Sequence, residues 1–381
     1  MKQILYISAL FLSLLSGVIA YAQDEPDTLY ASLMAKGRNA EQLKLPDLAQ
    51  GYYENAVALP SAGADAYIAL AKLVEKKEMY RRAVELFRQA ITLDANSAVA
   101  YEHLAYCLTE LEDFDGAEQA AQKAIELNPK SASAMASMAL VFNSRGSHTN
   151  ALTWAKRAQE TDPKDDRPYN VAGIIAYNRG NDADAISYFK KALAQNPDNI
   201  DSYANLGTMF CLRNNYESAL IQLRKGLQKE PKSVKLYYCM GWAYMLKGEK
   251  QKAISCYETI IDMDSLYVKA YNRLGEIYNS KADYDRAIAY HKKATRIAPD
   301  DPNGFKGMGK TYSDKGDYPK ALHAYQKAVL INAKDHETYC LMAELYQRQG
   351  NAQRELNSYK KAAKLGNKKA QQWLVKKGAT W

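Results

Sequence analysis

The chain has 381 residues, 51 Lys+Arg against 43 Asp+Glu, a formal net charge of +8, and is 47% hydrophobic and 25% charged. These proportions sit at the globular average and exclude disorder and collagen-like structure. Residues 1–300 are balanced, with 36 basic and 36 acidic side chains, so the excess charge belongs to residues 301–381, which hold 15 and 7.

At the N-terminus Lys2, an apolar run from Ile4 to Ala20 and the triplet Ala20-Tyr21-Ala22 make the pattern of a cleavable signal peptide over residues 1–22. Ser8, Ser13, Ser16 and Gly17 interrupt the run, which is shorter than the ~20 apolar residues of a spanning helix. Cleavage before Gln23 is expected, with an uncleaved anchor as the alternative. The mature chain is then exported, periplasmic or envelope-associated if the source is bacterial and otherwise in the secretory pathway, with no later transmembrane span. Residues 23–29 form a short polar lead-in.

The remainder is periodic. Alanine stands at 49, 83, 117, 151, 185, 219, 253, 287 and 321, nine times at an interval of 34. In the same register Gly or Ala recurs at 71, 105, 139, 173, 207, 241, 275, 309 and 343, and Tyr, Phe or Met at 67, 101, 135, 169, 203, 237, 271, 305 and 339. Proline closes the unit at 129, 163, 197, 231 and 299. Within 302–335, Phe305, Met308, Gly309 and Tyr312 share one face of a first helix and Ala321, Tyr325 and Ala328 one face of a second, with Lys315-Gly316-Asp317 as the turn. Gly309 and Ala321 are small where the two helices are expected to cross.

This pattern resembles the tetratricopeptide repeat, a helix-turn-helix unit of 34 residues. The resemblance implies an all-α fold: a right-handed superhelical solenoid of about ten units with a C-terminal capping helix. The units run 30–63 (degenerate, with Leu33 and Pro46 off-pattern), 64–97, 98–131, 132–165, 166–199, 200–233, 234–267, 268–301, 302–335 and 336–369 (degenerate, with Glu355 in the alanine column), followed by a basic capping helix over 367–381. Gly226, Ile260 and Ser265 depart from the pattern and mark a place where the middle of the array is expected to bend or open. The lead-in to the last helix, Lys361 to Asn367, also resembles the junctions of Sel1-type repeats.

Chemistry is sparse. His103, His148, His291, His323 and His336 occupy five different repeat positions, and there is no His-Glu-x-x-His or G-x-S-x-G motif. Five cysteines, at 107, 211, 239, 256 and 340, form neither a C-x-x-C pair nor a dense disulfide framework. Cys239 and Cys256 fall at similar height on paired helices but on opposite sides. Gly304 to Thr311 fits G-x-x-x-x-G-K-[ST], yet the register sets it inside a first helix, where a phosphate loop cannot work. Asp162, Asp165 and Asp166 lie in an inter-repeat turn and read as helix caps. No catalytic set, metal, cofactor or nucleic-acid partner is expected.

The family resemblance implies peptide binding on the concave face through the second, fifth, sixth, ninth, twelfth and thirteenth residues of each unit. Those positions include an apolar stretch, Tyr106, Leu140, Ile174, Tyr177, Tyr238, Trp242 and Met245, and a polar, mostly basic one, Lys269, Asn272, Arg273, Lys306 and Lys310. Neither the family's carboxylate clamp nor its asparagine ladder is present: Lys306 is followed by Lys310 and Leu341, and Asn205 is the lone match in the ladder column. The leading expectation is an exported, non-enzymatic scaffold holding an extended peptide or a partner protein. The alternative is docking to an anionic surface or polyanion through Lys368, Lys369, Lys376 and Lys377.

Overall fold

The computed structural model describes residues 26–43 and 45–381, so the expected leader and its cleavage site lie outside the described residues. The described chain consists of 21 helices with no strand among them. It divides into two compact units, the first ending at Ser202 and the second running from Tyr203 to Trp381.

In the first unit α1 (Pro26–Gln42) packs with α2 (Pro46–Val57), α3 (Ala64–Lys76) with α4 (Tyr80–Leu93), α5 (Ala98–Glu110) with α6 (Phe114–Leu127), α7 (Ala132–Ser144) with α8 (His148–Thr161), and α9 (Arg167–Asn178) with α10 (Asp182–Gln195). The division falls in α11 (Ile200–Leu212), after which comes α12 (Tyr216–Lys229). The second unit continues with the pairs α13 (Val234–Lys247) and α14 (Lys250–Met263), α15 (Val268–Ser280) and α16 (Tyr284–Ile297), α17 (Pro302–Lys315) and α18 (Tyr318–Ile331), and α19 (His336–Arg348) and α20 (Ala352–Lys364). The short α21 (Lys368–Lys376) closes on α20. α1 takes in the last residues of the expected lead-in, since a proline is tolerated in the first turn of a helix.

Each hairpin turn is built alike. The residue before the second helix's N-cap is left-handed in all nine repeats from 64 onward: Glu78, Glu112, Gly146, Gly180, Asn214, Gly248, Ala282, Gly316 and Gly350, with φ between 57 and 86°. The next residue caps the second helix: Asp113, Asn181, Asn215, Asp283, Asp317 and Asn351 each accept from the backbone N–H three residues on. At the inter-repeat turn Asp94, Asn128, Asp162, Asn196, Asp264 and Asn332 accept from the backbone N–H two residues on, an Asx-turn that reverses the chain.

All nine alanines of the periodic column are fully buried, at 0% exposure. The partner of the glycine column is not that alanine but the residue sixteen positions beyond the glycine, on the second helix. A methyl group at Gly173 would stand 2.5 Å from the Phe189 ring, at Gly207 2.7 Å from Leu223, at Gly241 2.7 Å from Tyr257, at Gly275 2.5 Å from His291 and at Gly309 2.5 Å from Tyr325. The glycine is therefore a window across which the second helix passes a large side chain. At Gly226 a methyl would lie 2.7 Å from Leu236 and 3.0 Å from Tyr203 Cβ, so the glycine serves close approach, and Ile260 is sealed at 0%.

First helices of successive repeats touch one another, α3 with α5, α5 with α7 and α7 with α9 in the first unit, and α15 with α17 and α17 with α19 in the second. Successive second helices make no comparable contact among the described residues. Within each unit the first helices thus form the inner side.

Candidate partner-binding face

In the first unit the inner face carries Tyr106, half-buried with its ring edge-on to Tyr80 at 6.1 Å, and burial pushes its hydroxyl well above the ordinary range. Ile174 is half-buried against the core and Tyr177 is 42% exposed. Leu140 is a correction. It is buried to 8% because α7 is apolar almost all round, from Ala132 through Val141, and lies between α5 and α9. A helix with no polar face is enclosed by its neighbours, so Leu140 is core.

In the second unit Tyr238, Trp242 and Met245 are half-buried on α13. The charges beside them are less free than their column positions imply. Arg273 donates from Nε to Tyr238 Oη at 2.8 Å and pairs with Glu276 at 2.8 Å, which together hold the guanidinium charged despite its partial burial. Lys306 lies 3.3 Å from both Asp335 and Glu337, and holds the Asp335 carboxyl, with Thr338, below its usual range. Asn272 faces His291 Nδ1 at 3.4 Å, and Lys269 sits over the Tyr267 ring at 5.9 Å. Lys310 is exposed and makes no ion pair among the described residues. The structure therefore joins Tyr238 and Arg273 across two repeats and leaves Lys310 as the open cation of the basic stretch.

On α21 Ala370 and Leu374 are fully buried and Trp373 stacks on Tyr359 at 4.3 Å, while the Lys377 ammonium lies 5.6 Å from the Trp373 ring centre. Lys369 is paired with Glu344 at 3.2 Å. Lys368 and Lys376 flank the 65% exposed Val375 in a shallow recess completed by Gln371 and Gln372.

The reactive side chains are placed as follows. All five cysteines are free. Burial raises the thiols of Cys211 and Cys340 to about 11 and that of Cys256 to about 12. One Cys-His-Glu cluster does form: His103 Nδ1 lies 2.8 Å from Glu75 Oε2, and Cys107 Sγ donates to the same oxygen at 3.7 Å. Burial and the Glu75 carboxylate push the Cys107 thiol far up, the opposite of what a thiolate nucleophile requires. Gly304 to Thr311 lies inside α17, with Thr311 Oγ1 donating to the Gly307 carbonyl at 3.0 Å, so its N–H groups serve the helix.

The acidic turn departs from a simple helix-cap reading. Asp162 makes its Asx-turn and Asp165 accepts from the Arg167 backbone at 3.0 Å and from its guanidinium. Asp166 occupies the N-cap position of α9 in helical geometry with no capping bond, because its carboxylate instead takes the amides of Asn196 and Asn199 from the next turn. Column reading missed Tyr257, whose ring crosses Gly241 and ends among the inner-face residues. The signal was available in the recurrence of a large residue sixteen positions after each glycine.

Tetratricopeptide-repeat family models match residues 68–132, 104–166, 167–199, 188–221, 234–265, 266–329 and 309–350. Among solved structures, the human IFIT1 dimer with m7Gppp-AAAA is similar in fold, at 16% identity and TM-score 0.54 over 87% of this chain and 80% of that one. Yeast Tom70 aligns at 14% identity and TM-score 0.48 over 93% and 95% of the two chains, and MamA at 28% and 0.37 over 43% and 96%. No curated protein sequence matches the chain. With repeat models spread along most of the sequence and helix pairs along all of the described chain, this protein belongs to the tetratricopeptide-repeat family, whose scaffold fold is typical of protein–protein interaction.

Proposed function

We propose that the protein is an exported, non-enzymatic scaffold that holds an extended peptide, or such a segment of a partner protein, on the inner face of its first helices. The observation that carries the reading is Trp242 on α13. It is a large aromatic left half-buried on a first helix, beside Tyr238 and Met245, with the open cation Lys310 two repeats on. Half-exposed Trp and Tyr are the residues most enriched among binding anchors, and a neighbouring charge adds steering.

The competing use is docking of the lysine-rich end to an anionic surface. Capture from envelope extract at low and high salt separates the two, since surface charge is screened and apolar capture is not. Trp242→Ala should weaken capture by about 2 kcal/mol or more, and Lys310→Ala by about 0.2 to 1 kcal/mol in a salt-dependent way. A silent Trp242→Ala, with binding abolished when Lys368, Lys369, Lys376 and Lys377 become Gln, would transfer the function to the C-terminal end. Export rests on Lys2, the apolar run and Ala20-Tyr21-Ala22; N-terminal sequencing of the secreted product should begin at Gln23. Recovery of all 381 residues in the membrane fraction would make the segment an anchor.

A further inference from the structure

Tyr257 is fully buried, and its hydroxyl has no hydrogen-bond partner among the described residues. The ring enters from α14 and crosses α13 at Gly241, where a methyl would stand 2.7 Å from Cζ, so the phenol end is the part that reaches the first-helix side. The next repeat shows what lies beyond such a window. His291, 34 residues on, is held between Gly275 of its own first helix and Gly307 of the following one, where a methyl would fall 2.3 Å from Cε1. The residue in the place of Gly307 opposite Tyr257 is Arg273. Its Nε bonds to Tyr238 Oη, and the Tyr238 ring lies edge-on to Tyr257 at 5.7 Å.

The same crossing is completed differently in the first repeat. Tyr53 passes Gly37 and donates its hydroxyl to Glu41 at 2.7 Å, four residues past that glycine. Four residues past Gly241 stands Met245, which offers no comparable acceptor. A buried donor without an acceptor is costly. At this place the acceptor is missing among the described residues, and a cation stands beside the gap.

We propose that Tyr257 Oη and the Arg273 guanidinium form a carboxylate-receiving notch on the inner face of the second unit, taking an Asp or Glu side chain of an extended peptide whose apolar residue rests on Trp242. Glu276 is the internal stand-in. It is 50% exposed and Arg273 39% exposed, so an incoming carboxylate can take its place on the guanidinium and, as the arginine swings, accept from the phenol. The notch rests on the peptide-scaffold reading above and adds to it a residue delivered from the second helix.

The test uses fluorescein-labelled ten-residue peptides with two leucines followed by one Asp at stepped positions, each paired with its Asn twin, and reads binding to the full chain by anisotropy. At least one Asp peptide should bind roughly tenfold or more tighter than its twin, the worth of a hydrogen bond to a charged group. Tyr257→Phe, which keeps the ring, and Arg273→Gln should each shrink that gap, and Glu276→Gln should tighten the Asp peptide by removing its competitor. Equal affinity of the twins, with binding still lost in Trp242→Ala, overturns the notch and leaves the scaffold reading standing. A gap that survives Tyr257→Phe also overturns it, reducing the site to a surface arginine. If no peptide of the set binds, both readings fall.

Discussion

The two units solve the same helix crossing with different chemistry. In the repeats of the first unit from 64 onward, the small residue of the first helix and the residue sixteen positions on are Ala71 and Phe87, Ala105 and Ala121, Ala139 and Ala155, and Gly173 and Phe189. Every member of those pairs is apolar, and all lie in the core. In the second unit the last repeat pairs Ala343 with Tyr359, while Gly207, Gly241, Gly275 and Gly309 admit Leu223, Tyr257, His291 and Tyr325. Three of those four side chains carry a polar tip. Where alanine faces alanine, as at Ala105–Ala121 and Ala139–Ala155, the second helix has no side chain long enough to cross. Where glycine opens it, the second helix can deliver an O–H or ring nitrogen between first helices. Specific recognition needs placed polar groups as well as apolar area, so the second unit is the better equipped of the two.

The largest expected consequence is a difference in acid sensitivity. His291 is 1% exposed, and burial lowers its pKa from 6.5 to about 4. The unfolded chain therefore binds a proton below about pH 6.5 that the folded one refuses until about pH 4. This histidine's contribution is intact above the upper value and is lost progressively as pH falls through that window, by at most about 3 kcal/mol. Hydrogen exchange followed from neutral pH down to the bottom of the window should show α15 to α17 losing protection ahead of α3 to α8. His291→Leu, which copies Leu223 at the same repeat position, should remove that extra slope. If the two units weaken in parallel in both proteins, His291 is not the sensitive group.

Next in size is an exchange of the small residues. Gly309→Ala puts a methyl 2.5 Å from the Tyr325 ring and should cost about 1 to 3 kcal/mol through overpacking, although alanine is the better helix former. Ala105→Gly in the first unit should cost about 1 kcal/mol for the opposite reason, since nothing large waits behind it and only helix propensity and a methyl are lost. Urea denaturation of both variants checks the pair. A stabilised Gly309→Ala would mean that the tyrosine yields freely and the window is not tight.

These contrasts also show what could be read before the fold was known. The alanine column was legible because a crossing sealed at 0% exposure tolerates one residue size, and that constraint recurs at a fixed interval. The glycine windows were only half legible. Gly309 stood out as small, but its partner lies on an antiparallel helix sixteen residues away, and period alone does not say which large residue crosses. Arg273 and Lys306 read as open cations because their positions are solvent-side in the repeat; Glu276 engages Arg273 from its own helix, and the contacts with Tyr238, Asp335 and Glu337 depend on side-chain reach between repeats. Leu140 read as groove because its column is a binding column, and it is core because α7 is apolar almost all round and lies between two other first helices.

The tyrosine hydroxyls sharpen the comparison further. Tyr53 in the first unit donates to Glu41, whereas Tyr257 has no acceptor among the described residues. Tyr53→Phe should therefore lose about 1 kcal/mol and Tyr257→Phe should lose nothing or gain about 1 kcal/mol, because removing an unsatisfied buried group relieves its desolvation cost. Thermal denaturation of the two single variants is sufficient. A destabilised Tyr257→Phe would mean that the hydroxyl is bonded in the free protein, which also bears on the notch.

The smallest effect concerns the hairpin turns, where the contrast runs within the units as well as between them. The left-handed residue is glycine in five of the nine repeats from 64 onward and Glu78, Glu112, Asn214 or Ala282 in the others. Asparagine bears this conformation comparatively well, but alanine at φ 59° brings Cβ against its own backbone, at about 1 to 2 kcal/mol. Replacing it with glycine removes that cost and adds about 0.5 to 1 kcal/mol of unfolded-state entropy, so Ala282→Gly should gain about 0.5 kcal/mol and Gly316→Ala should lose at least as much. Gly316 carries φ 86°, and a methyl placed there would meet no atom within 4 Å, so its loss would be purely conformational. Matched urea titrations of the two variants, one repeat apart in the same unit, read the backbone term without a packing change. A destabilised Ala282→Gly would show that the Ala282 methyl contributes contacts that outweigh its strain.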